Sequence, residues 1–166
     1  MHVQFGGEDR ELSAEPTEVG RELPEFTLHK ADDSRVRSVD LFKDKTLISV
    51  VPNINTSVCS LQTKRFNSEM DKYPDVAFYT VSTNTVEEQK DWCAAEGVKN
   101  MEMLSDAEEQ SFGRNVGVLM PALDFDARSI WITDGSGKVL YREILQNQHE
   151  EPNYQAALAF LKGMGK

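Results

Sequence analysis

Leu47-Ile48-Ser49-Val50-Val51-Pro52-Asn53-Ile54-Asn55-Thr56-Ser57-Val58-Cys59 passes from an apolar run into the start of a helical pattern, and its reading decides the fold. Residues 47–51 have the near-continuous apolar character of a buried strand. Pro52 cannot donate to a strand ladder, so the strand stops there. Further on, Val58, Leu61, Phe66 and Met70 fit one face of a helix. Thr56 stands where an N-cap belongs, and its hydroxyl is expected to accept from the backbone N–H of Cys59. A cysteine in the first turn of a helix meets free amide donors and the positive end of the helix dipole. That place favours thiolate, the reactive form. The alternative is a cysteine that only packs, a common fate for a free thiol.

Working outward, Tyr73-Pro74-Asp75 breaks the helix, and Val76 to Ser82 reads as a second buried strand. The unit is β-α-β, so its strands are expected to run parallel with a right-handed crossover. Thr85 looks like an N-cap, with Glu87 and Glu88 in the first turn of a helix that ends at Glu96 before Gly97. Cys93 lies near that end, beside Trp92. Met101 to Leu104 is a short strand. A helix is expected to start at Ser105-Asp106-Ala107-Glu108-Glu109 and to close at Gly113, and Asn115 to Asp126 reads as a loop around Pro121. Ala127–Thr133 and Lys138–Leu145 flank Asp134-Gly135-Ser136-Gly137, a strong hairpin signal. Pro152-Asn153-Tyr154 opens a last amphipathic helix with Tyr154, Ala157, Leu158 and Leu161 on one face. Upstream, Val3 and Phe5 alternate before Gly6-Gly7, and Glu11–Ala14 is expected to return as the second strand of a hairpin. Phe26/Leu28 and Val36/Val39 suggest two more short strands, with a helical turn over residues 39–42. This order is that of an α/β, thioredoxin-like fold: a central mixed β-sheet flanked by helices, with an N-terminal β-hairpin, in a single domain over residues 1–166. It sets Cys59 at the carboxyl edge of a central strand, where sites in α/β sheets gather.

With 166 residues the chain suits one domain. Its 28 acidic and 18 basic side chains leave a formal charge of −10, which repels nucleic acid and anionic lipid. No apolar run approaches membrane-spanning length, and Met1 to Gly7 lacks the basic and apolar regions of a signal peptide, so the expected location is the cytoplasm. There are two cysteines, Cys59 and Cys93, too few for a disulfide scaffold or a four-cysteine zinc site. His2, His29 and His149 show no ligand spacing, so neither metal nor cofactor is expected. Trp92 and Trp131 read as core or interface anchors.

Pro52-x-x-x-Thr56-x-x-Cys59 resembles the peroxidatic motif of the peroxiredoxins. More widely, the chain resembles the bacterial thiol peroxidases, the atypical two-cysteine branch of that family. The likeness takes in Pro52 to Asn67, Trp92-Cys93-Ala94-Ala95-Glu96-Gly97, Leu104-Ser105-Asp106, Ser111-Phe112-Gly113, Ala127-Arg128 and Glu151-Pro152-Asn153-Tyr154. One departure is Asn55, where many relatives carry Asp; another is the loop from Gly117 to Phe125. The resemblance implies an antioxidant enzyme that reduces hydrogen peroxide and organic hydroperoxides. In that scheme Cys59 is the nucleophile and becomes a sulfenic acid, and Cys93 resolves it as an intramolecular disulfide. Thr56 holds the thiolate or the peroxide, Arg128 supplies positive charge, Pro52 shields the sulfur, and a thioredoxin-type reductant restores the thiols. The resemblance also implies a homodimer, in keeping with an apolar loop around Val118, Leu119 and Met120 that a monomer is expected to expose.

Taken by itself, Arg128 reads as a surface arginine at a strand start, and Cys93 as a packed side chain. A thiol-based sensor that hands oxidation to a partner protein is the competing function. A thioredoxin-type dithiol enzyme is disfavoured, because Gln62 stands where Cys-x-x-Cys requires a second thiol.

Overall fold

The computed structural model describes residues 1–98 and 100–164. Strands β1 (His2–Phe5) and β2 (Glu8–Glu11) form the N-terminal hairpin. The return begins at Glu8 rather than Glu11. Gly6 and Gly7 both take positive φ (65° and 77°), so the turn needs only these two residues and Glu8 pairs directly with Phe5. Strands β3 (Thr27–His29) and β4 (Arg35–Arg37) pair antiparallel, and β4 runs into the helical turn α1 (Ser38–Leu41).

The central unit follows as expected. Strand β5 (Thr46–Val50) is buried at every residue, helix α2 (Ser57–Glu69) leaves it and ends in one 3₁₀ turn (Met70–Lys72), and β6 (Ala77–Ser82) returns parallel to β5. Helix α3 (Val86–Glu96) opens on a reciprocal cap: the Thr85 hydroxyl accepts from the Glu88 N–H while the Glu88 carboxylate accepts from the Thr85 N–H. Gly97, at φ 69°, closes it. Strand β7 (Glu102–Ser105) then pairs parallel to β6.

Helix α4 is Ser111–Val116, starting six residues later than the acidic run suggested and closing at Gly117, not Gly113. Gln110 takes a left-handed φ of 54°, which interrupts any helix begun at Ser105. Across that turn the Asp106 carboxylate caps α4, accepting from the N–H groups of Phe112 (3.1 Å) and Gly113 (2.9 Å). Gly113 lies inside the helix rather than at its end, and a Cβ there would collide with the Asp126 carboxyl. Asn115–Asp126 is also more ordered than a loop: β8 (Leu119–Met120) pairs with β9 (Phe125–Asp126). Val118, Leu119 and Met120 are buried within the chain, tied down by Ser13 N–H to Leu119 O (2.8 Å) and Ala127 N–H to Val118 O (2.8 Å). The exposed apolar surface expected there for a second copy does not exist.

Strands β10 (Ser129–Thr133) and β11 (Val139–Ile144) form the expected hairpin, and helix α5 (Tyr154–Gly163) starts at an Asn153 cap. The main sheet has seven strands in the order β11-β10-β5-β6-β7-β3-β4, mixed in direction, with the parallel trio at its centre. Successive side chains of β5 point to opposite faces. Leu47 joins Phe66 of α2, Trp92 of α3 and Leu158 of α5, whereas Ile48 joins Phe112 of α4, Trp131 and the hairpin's Val3. Both tryptophans are therefore core residues. Among the described residues no helix is long and apolar enough to cross a membrane.

Candidate active site

Where β5 ends, the Val51 N–H bonds to Val81 O (3.0 Å), and Pro52, buried, turns the chain away from the ladder. Residues 53–56 make a turn braced from the neighbouring strand end. Asn84 accepts from the Ile54 N–H through Oδ1 (2.8 Å) and donates from Nδ2 to Asn53 Oδ1 (3.1 Å). Thr56 has the extended backbone of an N-cap (φ −88°, ψ 156°), but its hydroxyl does not reach the Cys59 N–H. It donates instead to Asn53 O at 2.9 Å, and the residue is exposed. A carbonyl three residues back, presented by the turn itself, wins the hydroxyl. The first turn of α2 thus lacks a side-chain cap.

Cys59, the third residue of α2, is 1% exposed, and its Sγ accepts from Arg128 Nη2 at 3.3 Å. Arg128 immediately precedes β10 and is itself 2% exposed. Each of its other nitrogens has a partner: Nε donates to Gln148 O (2.8 Å), Nη1 to Gln62 Oε1 (3.0 Å) and the backbone N–H to Gln148 Oε1. Gln62 is fixed in turn, donating to Ser49 Oγ (2.8 Å) and Val50 O (3.3 Å) of β5. These partners are neutral oxygens and sulfur, and among the described residues Arg128 makes no ion pair. Arg128 is buried, not a surface arginine.

The expected Cys59 and Arg128 are brought together, and Pro52 and Thr56 lie on the connection between β5 and α2. Gln62, Gln148, Asn84 and Ser49 were not anticipated. Gln62 had a signal: three residues after Cys59 on a helix, it shares the cysteine's face. Cys93 lies on α3, half-buried against the apolar cluster that contains Cys59. Both thiols are free, and burial pushes the Cys93 thiol up from its ordinary value. A cavity of about 560 Å³ opens beside Cys93, walled by Val86, Val98, Met101 and Met103; Cys59 does not line it. No cluster of three or more His, Cys, Asp or Glu placed to hold a metal occurs among the described residues.

The redoxin family pattern matches residues 18–158. The chain is 42% identical over 146 residues to the thiol peroxidase of Listeria monocytogenes serotype 4b (strain F2365), covering 88% of this chain and 82% of that protein. It is 36% identical over 164 residues to the thiol peroxidase of Bacillus subtilis (strain 168), covering 99% and 98%. Among solved structures, the peroxiredoxin-like protein from Aquifex aeolicus superposes with a TM-score of 0.91 at 28% identity, covering 98% of this chain and 96% of the other. The thiol peroxidase from Chromobacterium violaceum gives 0.87 at 19% identity, covering 98% and 95%, a likeness of fold. A thioredoxin-like sheet with a buried cysteine at the start of the helix leaving a central strand defines a class of thiol proteins, and the chain belongs to the redoxin family. Within that family its similarity is to the bacterial thiol peroxidases.

Proposed function

We propose that this chain is a thiol peroxidase whose nucleophile is Cys59. The observation that carries the reading is Arg128. A buried cation without a carboxylate is costly unless a counter-charge is supplied. The group in contact able to supply it is Cys59 Sγ, as thiolate. The same contact serves the chemistry. The thiolate attacks the terminal oxygen of a hydroperoxide, the S–O bond forms, the O–O bond breaks, and negative charge passes from sulfur to the leaving oxygen. Arg128, held rigid by Gln62 and Gln148, faces that charge throughout. Protonation of the leaving oxygen yields water or an alcohol and leaves a sulfenic acid. Thr56, to touch the peroxide, exchanges its bond to Asn53 for one to the substrate. Pro52 closes the inner wall.

Cys93 then resolves the sulfenic acid as a disulfide, and a thioredoxin-type reductant returns both thiols by exchange. Its half-buried, protonated state fits the second role, since it does not compete for peroxide. We read residues 1–166 as one domain working in the cytoplasm. A homodimer follows from the family resemblance, without support from residues 118–120; sedimentation at micromolar concentration tests it, and a monomer mass alone counts against it.

Peroxide consumption coupled to NADPH through thioredoxin reductase and thioredoxin tests the reading as a whole. The expected outcome is many equivalents reduced per chain, background rates for Cys59→Ser, and for Cys93→Ser a trapped sulfenic acid. A single stoichiometric oxidation without turnover replaces the enzyme with a sensor.

A further inference from the structure

The two cysteines lie on α2 and α3, and one exposed side chain ties these helices together. Glu96, three residues after Cys93, accepts through Oε1 from Ser60 Oγ (3.3 Å) and pairs through the same oxygen with Lys64 Nζ (2.7 Å). Among the described residues, every side-chain polar contact between α2 and α3 ends on Glu96. Ser60 follows Cys59 in the first turn of α2, and Lys64 stands one turn further on. The contact therefore joins the turn that holds Cys59 to the turn that holds Cys93.

Glu96 is badly placed for its own helix. It sits in the last turn of α3, at the negative end of the dipole, and no basic residue of α3 shares that turn. Lys64 compensates from the other helix. Its hydrogen bond and charge, with a smaller share from Ser60, hold the Glu96 carboxyl below the usual carboxylate range.

We propose that Glu96 is a latch, a positioning residue whose pairing with Lys64 and Ser60 keeps the Cys59 and Cys93 turns folded until Cys59 is oxidised, and so sets how fast the two sulfurs join. The inference rests on the peroxidase reading of Cys59 and Cys93. In the joining step the Cys93 thiol attacks the Cys59 sulfenic sulfur. The S–S bond forms, the S–O bond breaks, and hydroxide leaves with the Cys93 proton as water. A disulfide requires Cα atoms within roughly 7 Å and Cβ vectors that converge. Cys59 is sealed in the core, so its sulfur becomes open to attack by Cys93 only once its turn loosens. Oxidation removes the thiolate charge that the α2 amides and Arg128 favour, so the first turn of α2 loosens and Ser60 lets go. Glu96, once released from Lys64, is repelled by its own helix end, and the last turn of α3 frays with Cys93 in it. The charge that closes the latch is the charge that opens it.

Three variants test this: Lys64→Met, Glu96→Gln, and the exchange Lys64→Glu with Glu96→Lys. The readouts are the rate of disulfide formation after one equivalent of peroxide, followed by Trp92 fluorescence and quenched mass spectrometry, and the fraction of Cys59 driven to sulfinic acid at high peroxide. Lys64→Met leaves the repelled carboxylate unpaired, so the disulfide is expected to form about two- to five-fold faster, the range open to an exposed ion pair. Glu96→Gln, which removes the repulsion with the pair, is expected to give a smaller rise. The exchanged pair, with a lysine that suits the helix end, is expected to resolve no faster than wild type. Sulfinic acid is expected to fall where resolution quickens, with the first oxidation unchanged throughout. All three variants resolving at the wild-type rate, or Lys64→Met resolving more slowly, overturns the latch. A wild-type chain that never forms the disulfide overturns the peroxidase reading itself, and the latch with it.

Discussion

Two of the buried polar pairs in this protein stand in opposite electrostatic situations. Arg128 faces Cys59 at the start of α2, and Asp126 faces Asp106 at the start of α4. Each contains a group that the interior tolerates poorly alone. Burial, reinforced by the charge of Asp106, pushes the Asp126 carboxyl well above its usual range. Read as a carboxylate, Asp126 has two buried oxygens with no donor. Read as the acid, it donates to Asp106, whose carboxylate still caps α4. That pair is satisfied by holding a proton. Arg128 cannot shed its charge, and on the reading proposed above its counter-charge is supplied by the sulfur it touches. On that reading, a buried charge that can titrate closes on itself as a structural clasp, whereas one that cannot calls on its neighbour.

The sharpest way to break this contrast is Arg128→Met. Removing the fixed charge that faces Cys59 Sγ is expected to lower the rate of Cys59 oxidation by about 10²–10³-fold. Stopped-flow oxidation under single-turnover conditions measures it, and a loss under threefold would mean that Arg128 only fills space. At the second pair, Gly113→Ala forces a methyl group onto the Asp126 carboxyl and Leu119. The expected loss is about 3 kcal/mol of stability. Asp126→Ala in the same chain is expected to restore part of it, and simple additivity in urea melts would show that the two positions do not press on each other.

Asp126→Asn sharpens the comparison through pH. A carboxyl raised in the folded state binds its proton more tightly there than when unfolded. Its contribution is therefore complete below the unfolded value and is lost as pH rises through the folded one. Wild type is expected to lose stability relative to Asp126→Asn as pH rises, with the variant ahead by about 2 kcal/mol on the alkaline side, where its amide still donates to Asp106. Parallel curves for the two proteins across pH 5–9 would remove the shared proton. The smallest effect is expected at Gln62→Met, which frees Arg128 Nη1 without touching the sulfur: about tenfold slower oxidation, the worth of one charge-assisted hydrogen bond. An unchanged rate would leave Gln148 as the sole brace.

How much of this was legible in the sequence depended on range. Thr85 with Glu88, the Asp134-Gly135 hairpin and the β5–α2–β6 unit are decided by neighbours, and each forms as read. Thr56 was misread because the competing acceptor, Asn53 O, exists only once the turn has folded. The delayed start of α4 depends on Asp106 reaching over a turn that Gln110 bends, and periodicity carries no trace of that. Val118 to Met120 looked like an exposed patch because their cover includes Ser13, more than a hundred residues away in sequence. The contact of Arg128 with Cys59 spans 69 positions, and family resemblance rather than spacing brought the two together. Gln148 acts on Arg128 partly through its backbone carbonyl, a group that every residue possesses.

The buried guanidinium has one more consequence. On the reading proposed for Cys59, its counter-ion is a redox group, so any reaction that neutralises the sulfur, whether oxidation to the sulfenic acid or alkylation, strands a positive charge in the core. Oxidation state and conformational stability are thereby two readings of one equilibrium. Thermal denaturation of the intact chain thus becomes a gauge of its peroxide exposure, with the reduced protein melting at the higher temperature. On the same reading, the freshly oxidised chain is expected to open most readily to proteases, until a thiol donor returns the negative charge that faces Arg128.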